Sequence, residues 1–74
     1  IHQNAIIYAS LLEKGRELFY VFPSGRRGWL QLISGSVSVN KVLLEEGDAA
    51  VMEEEREVKI TALEDAEFLF FDLA

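Results

Sequence analysis

The stretch Trp29–Asp48, WLQLISGSVSVNKVLLEEGD, decides the fold class of this chain. Its three short apolar runs are interrupted by Gly35, by an Asn-Lys pair at 40–41 and by the acidic segment EEGD at 45–48. Each interruption is a turn signal, and each run is too short to form a stable helix. The stretch therefore predicts a β-meander, with consecutive strands paired through tight turns.

Similar runs continue on both sides of this stretch. They lie at 4–13, 18–22 and 28–34 before the first interruption, and at 49–52, 58–62 and 68–71 after the last one. The first run could be a strand or a short helix, but its Ile-Ile-Tyr sequence favours a strand because such side chains fit a pleated surface. About eight short strands with almost no helical periodicity predict an all-β fold, either a sandwich or a small barrel.

Composition limits the classes of function. The chain has 74 residues, a formal charge of −6 and no cysteine. The negative charge argues against nucleic acid and anionic membranes as partners. The lack of cysteine excludes disulfides and thiolate metal sites and favours the cytoplasm. The chain is 50% hydrophobic, more than one small core needs, which predicts a second apolar surface for a partner. It begins with Ile1, so we expect it to be a piece of a longer protein.

The order of strands and turns resembles a cupin, and more specifically the C-terminal cupin domain of pirin-family bicupins, the quercetin 2,3-dioxygenase-like proteins. The segments that carry the resemblance are IIYA at 6–9, GRR at 25–27, WLQ at 29–31, GSVSVN at 35–40, Leu44, GD at 47–48 and DAEFLFFDL at 65–73. The resemblance implies a single cupin-like domain over residues 1–74, with the jelly-roll barrel of a double-stranded β-helix. It also implies that this domain is the C-terminal part of a longer bicupin.

The resemblance also implies where a catalytic cupin would hold its metal. The first motif of such enzymes carries two His and a Glu ahead of the glycine that corresponds to Gly35. The Glu would fall at Gly28, the two His near 22–24, and a further His from the second motif near Val58. Neither Gly28 nor Val58 can ligate a metal, and Phe-Pro-Ser at 22–24 offers only a poor ligand. We therefore expect no catalytic residue and no metal site in this chain, with iron or another divalent metal in the N-terminal cupin.

The expected role is structural. A non-catalytic, metal-free domain would pack on the metal-bearing N-terminal cupin of the same chain, and the isolated fragment would form a homodimer. The alternative is a stand-alone β-barrel module that binds a small apolar or anionic molecule, although a barrel filled by Leu30, Leu32 and Val37 would argue against it. An enzyme in its own right is a third reading, but no set of acid, base and nucleophile is visible.

Arg26 and Arg27 are the candidate ligand-binding residues. They follow a Pro-Ser-Gly turn, and an arginine pair there could bind a carboxylate or phosphate through bidentate hydrogen bonds. The alternative is a solvated turn that balances the excess of Glu.

The candidate interface centres on the strand predicted at 28–34. Trp29, Gln31 and Ile33 share one face of this strand, and Leu30 and Leu32 share the other. If position 28 is an inward ligand position, the leucines point into the barrel and Trp29 points outward, where a large aromatic residue marks an interface. The alternative is a register shifted by one, with Trp29 in the core. The predicted interface consists of Trp29, Gln31, Ile33, Phe68 and Phe70.

Two further patterns involve metal-ligating side chains. His2, the only histidine, could form an iron site with Glu13 and Glu17, but nothing in the sequence brings the three together. The acidic residues at 45–48 and 53–55 lack the spacing that wraps a calcium ion. We expect a solvated histidine and a solvated acidic corner.

Overall fold

The structure, a computed structural model, describes residues 5–53 and 56–73. These residues form eight β-strands and contain no helix, so the all-β prediction is confirmed. Accordingly, the described part of the chain has no helix that could span a membrane. The strands are β1 (Ala5–Leu12), β2 (Glu17–Val21), β3 (Arg27–Ser34), β4 (Ser36–Val39), β5 (Val42–Glu45), β6 (Ala49–Met52), β7 (Glu57–Ala62) and β8 (Ala66–Leu73).

The strands pair as a long hairpin that has been rolled up. β4 pairs with β5 at the hairpin tip, followed outward by β3 with β6, β2 with β7, and β1 with β8. Rolling the hairpin adds the contacts of β8 with β3 and of β7 with β4. The result is two four-stranded antiparallel sheets, sheet I with the order β1-β8-β3-β6 and sheet II with the order β2-β7-β4-β5. This topology is the jelly roll expected of a cupin. The prediction of a β-meander is wrong, because β3 pairs with β6 and β8 and not with the next strand, β4.

The tip of the hairpin is a tight turn that the sequence specifies. Asn40 and Lys41 have φ angles of 47° and 73°. Positive φ at both central residues defines a type I′ turn, whose twist matches that of the flanking strands. The Asn40 side chain also accepts a hydrogen bond from the backbone N–H of Lys59 at 2.8 Å and donates one to the carbonyl of Glu57 at 3.3 Å. The tip is thereby attached to β7 as well as to its own hairpin.

The core lies between the two sheets and follows the period-two alternation of the strands. On β3, Leu30 and Leu32 are fully buried, whereas Trp29 is 40% exposed and Ile33 is 43% exposed. The predicted register, with the leucines inward and Trp29 outward, is therefore confirmed. The other buried residues of the core include Val37, Val39, Leu44, Met52, Val58 and Ile60.

The prediction that Phe68 and Phe70 lie at the outward interface is wrong, because both side chains are buried in the core. In the sheet register, Phe68 is opposite Leu32 and Phe70 is opposite Leu30, and paired residues of an antiparallel sheet project to the same side. The outward side chains of β8 are those of the alternate positions, namely Glu67, Leu69, Phe71 and Leu73.

Gly35, at the corner between β3 and β4, has no space for a side chain. Its φ is 84°, and an added Cβ would lie 2.1 Å from the backbone oxygen of Asp65 and 2.8 Å from the Cα of Ala66. Gly25 has a similar φ of 82° but nothing within 4 Å of an added Cβ. The two glycines therefore separate the cost of a left-handed backbone from the cost of a steric clash.

We expect Gly25→Ala to lower the free energy of unfolding by about 1 to 2 kcal/mol, the cost of a left-handed alanine. Gly35→Ala should cost more than about 3 kcal/mol, because the backbone of β8 must also move away. Urea denaturation followed by Trp29 fluorescence measures both values. Equal losses in the two variants would contradict the close approach at Gly35.

Candidate functional site

Three of the positions at which the family resemblance would place metal ligands lie inside this barrel and carry no ligating side chain, whereas Pro23 and Ser24 are exposed. Phe22, Gly28 and Val58 are all buried. A Cβ added to Gly28 would lie 2.5 Å from Cζ of Phe22 and 3.2 Å from Cε of Met52. The ring of Phe22 thus occupies the space that a ligating glutamate would need. The residues at these positions do not fit a metal ion.

No three described His, Cys, Asp or Glu side chains come together in a way that could hold a metal ion. His2 and the acidic residues Glu54 and Glu55 lie outside the described residues. The expectations of a solvated histidine and of a solvated acidic corner therefore stay predictions.

The carboxylate of Asp72 is nevertheless fully buried in the interior. One carboxylate oxygen accepts a hydrogen bond from Nε of Arg26, and the other accepts one from the hydroxyl of Tyr20. Nη2 of Arg26 also donates to the backbone carbonyl of Asp72 at 3.0 Å. The Arg26 side chain is only 11% exposed. A charge-assisted network of this kind compensates for the cost of removing the carboxylate from water.

Three separate elements bring these residues together. Asp72 lies near the end of β8, on the same side as Phe68 and Phe70. Tyr20 lies on the inward side of β2. Arg26 follows the Pro-Ser-Gly turn, which is closed by a hydrogen bond from its own N–H to the carbonyl of Pro23 at 3.3 Å. The network therefore fixes the turn between β2 and β3 to the last strand.

The aromatic rings around the network determine its environment. The ring of Tyr20 packs edge-on against Tyr8, Phe22 and Phe70, with centroid distances of 5.6, 5.2 and 5.1 Å. Burial, the hydrogen bond to Asp72 and a hydrogen bond with Tyr8 raise the pKa of the Tyr20 hydroxyl above its ordinary value of 10.0. Tyr20 is therefore a hydrogen-bond donor throughout the physiological pH range.

Arg26 was predicted to bind a ligand, and the structure gives it a partner within the fold. Its guanidinium is bound to the carboxylate and carbonyl of Asp72, which explains an arginine at this turn without a ligand. Arg27 is exposed and lines an open cleft of about 500 Å³ together with Arg56 and Glu53. Ligand binding by either arginine stays a prediction. Leu30, Leu32 and Val37 fill the barrel interior, which argues against a ligand inside it.

Asp72 and Tyr20 were not identified from the sequence, although a signal for Asp72 was present. Ala66, Phe68, Phe70 and Asp72 alternate along β8, so a core position for the two phenylalanines requires one for the carboxylate. A buried carboxylate needs a cation or several donors nearby. Nothing in the local sequence identifies those partners, because Arg26 and Tyr20 are 46 and 52 residues away along the chain.

The outer face of sheet I is apolar across all its strands. The sheet register aligns Ile7 of β1, Phe71 of β8, Trp29 of β3 and Val51 of β6 in one row. The neighbouring row consists of Ala9, Leu69, Gln31 and Ala49. We call these two rows the outer face. The side-chain amide of Gln31 donates to the carbonyls of Gly47 and Asp48 at 3.2 and 3.3 Å, so it is already bound to the turn between β5 and β6.

The outer surface of sheet II differs in character. There the register aligns Glu17, Thr61 and Ser38 in one row. Nζ of Lys59 lies 3.0 Å from the Glu17 carboxylate and 5.7 Å from the ring centroid of Phe19. Apolar side chains are also exposed on this surface, but each lies opposite a polar one: Phe19 opposite Lys59, Val21 opposite Glu57 and Leu43 opposite Ser38. Among the described strands, a row of apolar side chains crosses the outer surface of sheet I alone, and such a row is typical of a surface that is covered by protein.

The model of the family described as the quercetinase C-terminal cupin domain matches residues 1–73. This chain belongs to that family. The match confirms the resemblance to the pirin family that the sequence indicated. It covers the whole jelly roll, including the buried network at the end of β8.

Similar proteins carry this domain as part of a longer chain. A quercetin 2,3-dioxygenase of Escherichia coli is 32% identical over 73 residues, which are 99% of this chain and 32% of that protein. A pirin-like protein of Caulobacter vibrioides is 36% identical over 74 residues, which are 100% of this chain and 32% of that protein. This quercetinase C-terminal cupin domain thus spans about a third of the length of the curated relatives it matches.

A solved structure has the same fold. The crystal structure of the bacterial pirin YhhW from Escherichia coli, in complex with nickel(II), superimposes with a TM-score of 0.94 at 32% identity. The superposition covers 99% of this quercetinase C-terminal cupin domain and 32% of the YhhW chain. The nickel is a property of that longer protein.

The buried pair of Arg26 and Asp72 can be compared with the exposed pair of Lys59 and Glu17, whose side chains are 48% and 45% exposed. We expect Asp72→Asn to lower the free energy of unfolding by about 3 to 5 kcal/mol, because the buried guanidinium of Arg26 then loses the negative charge of Asp72. Glu17→Gln should cost about 0 to 1 kcal/mol. Urea denaturation at neutral pH measures both losses. Similar losses in the two variants would mean that the buried pair stabilises the fold no more than the exposed pair does.

The raised pKa of Tyr20 predicts a loss of stability at alkaline pH. The unfolded chain begins to release the tyrosine proton near pH 10, whereas folded Tyr20 retains it. The contribution of Tyr20 to the free energy of unfolding is therefore complete below about pH 10. Above that pH it declines by up to about 1.4 kcal/mol per pH unit.

Urea denaturation of the wild type and of Tyr20→Phe between pH 8 and about pH 11 isolates this effect. We expect the difference in unfolding free energy between the two proteins to be constant up to about pH 10 and to shrink above it. A constant difference over the whole range would mean that the hydroxyl titrates alike in the folded and unfolded states.

Proposed function

We propose that this chain is the non-catalytic, metal-free C-terminal cupin domain of a longer pirin-like protein. In this proposal, residues 1–74 form a single domain that packs on an N-terminal cupin holding the metal. The similarity to two longer relatives, of which this chain spans about a third, supports a parent protein with further domains. The absence of cysteine supports a cytoplasmic location.

The packing of the ligand positions supports the metal-free part of the proposal. The ring of Phe22 lies where a side chain at position 28 would project, and Val58 is fully buried among apolar residues. A divalent metal needs several oxygen, nitrogen or sulfur ligands in one place. In the longer protein, the redox or Lewis-acid chemistry would then belong to the other cupin.

The outer face of sheet I is the observation that carries the packing part of the proposal. Ile7 is 61% exposed, Val51 54% and Trp29 40%, and all three lie in the same cross-strand row. A contiguous apolar surface of this kind marks a contact with other protein. The outer surface of sheet II serves as an internal comparison, because its exposed apolar side chains lie opposite polar ones and form no such row among the described residues.

The isolated chain should associate through the outer face when the N-terminal cupin is absent. We expect light scattering at high concentration to give a dimer for the wild type and a monomer for Val51→Lys, which places a charge in the apolar row. Val42→Lys is the matched control, because Val42 is 59% exposed on β5 of sheet II, away from the outer face. A strictly monomeric wild type, or a dimer unaffected by Val51→Lys, would contradict association through the outer face.

Elemental analysis of the purified chain tests the metal-free assignment separately. After incubation with iron, nickel or copper and removal of the excess, we expect far less than one metal ion per chain. Stoichiometric binding of any of these metals would overturn the assignment.

A further inference from the structure

The outer edge of β1 is long and has none of the features that protect exposed strand edges. All eight residues of β1 pair with β8 on one side, and no described strand pairs with the other side. The sequence AIIYASLL contains no charge, proline or glycine. The edge strands β5 and β6 have only four residues each, and β2 carries Glu17 at its start. An unprotected edge presents unpaired N–H and C=O groups to a further strand.

A groove lies beside this edge, where β1 and β2 face each other without pairing. It has a volume of about 330 Å³. Tyr8 and Ser10 of β1 line one side, Leu18 and Phe19 of β2 line the other, and the ring of Phe68 contributes to the lining from β8. Tyr8 and Ser10 are opposite Phe70 and Phe68 in the sheet, so they are the inward-facing residues of β1. The groove is therefore an opening from the β1 edge toward the core.

We propose that the edge of β1 accepts a ninth strand, supplied by a segment of the longer polypeptide outside these 74 residues. Its backbone would pair with β1 and extend sheet I. Its alternate, apolar side chains would project inward and fill the groove, because the side chains of a strand alternate between the two faces. One extended segment would satisfy both the unpaired edge and the open groove, as in other cases of strand addition. This inference rests on the proposed function.

The size of the relatives favours a segment of the same polypeptide as the occupant. About two thirds of the length of each relative lies outside the region that this chain matches. A second copy fits the groove less well, because its own β1 would bring the hydroxyls of Tyr8 and Ser10 toward apolar residues. A dedicated segment can be apolar at every inward position.

Amide hydrogen exchange measured by NMR on the longer protein and on the 74-residue chain tests the proposal. We expect the β1 amides that do not bond to β8 to exchange at least about tenfold more slowly in the longer protein. The unpaired amides of β5, the edge strand of sheet II, should exchange alike in both proteins. Equal exchange rates of the β1 edge amides in the two proteins would overturn the proposal. Slower exchange of these amides in the short chain as its concentration increases would also overturn it.

A pair of serine variants of the longer protein provides a matched control. Ser10→Lys places a cation in the groove and should return the β1 edge amides to the fast exchange of the short chain. Ser38→Lys, on the polar outer surface of sheet II, should leave their exchange unchanged. Slow exchange of the amides between β3 and β8 shows that each variant remains folded. Protection of the β1 edge that survives Ser10→Lys would contradict insertion at the groove.

Trp29 fluorescence separates this inference from the proposed packing of the two domains. A blue-shifted, quencher-protected Trp29 in the longer protein, together with an open β1 edge, would overturn the ninth strand and leave the domain packing intact. A protected β1 edge with Trp29 still accessible to acrylamide would support the ninth strand and contradict the packing of the outer face.

Discussion

The alternation of side chains along β8 is the constraint on which the rest of the structure depends. β8 lies in the interior of sheet I, paired with β1 on one side and β3 on the other, and so it sets the register of both. Its inward residues place two phenylalanine rings and the Asp72 carboxylate in the core. Its outward residues give the outer face its apolar centre. A slip of one residue would exchange these two sets and would separate the Asp72 carboxylate from the guanidinium of Arg26.

The centre of the barrel is apolar in the part of the chain that the structure describes, with Phe22, Gly28 and Val58 at positions where the family resemblance would place metal ligands. The polar group of the interior is instead at the end of the barrel, where Asp72 joins the last strand to the turn between β2 and β3. A buried ion pair of this kind adds little net stability over a well-packed apolar pair, but loss of either partner is costly. The network therefore favours one arrangement of the strands over alternatives with similar apolar packing.

Much of this architecture could be predicted from the sequence, because turn residues and period-two alternation are local signals. The direction of the β3 side chains was predicted from their alternation and from the family resemblance, which makes position 28 an inward ligand position. β8 was harder to interpret, because it is apolar on both faces and apolarity alone does not reveal which face is inward. The partners of Asp72 could not be predicted, because they depend on contacts between residues about 50 positions apart. The ligand positions were identified only through the family resemblance.

The contact between Gly28 and Phe22 also has an evolutionary consequence. A glutamate at position 28 requires the ring of Phe22 to move, because its Cζ lies 2.5 Å from where the new Cβ would be. Replacing the ring first would leave a cavity in the core of a very small domain, with a large loss of stability. Under the proposed metal-free assignment, a metal ligand at position 28 would therefore require the ring to be displaced or removed as well. The packing of this ring couples position 28 to position 22, so that a single substitution does not suffice.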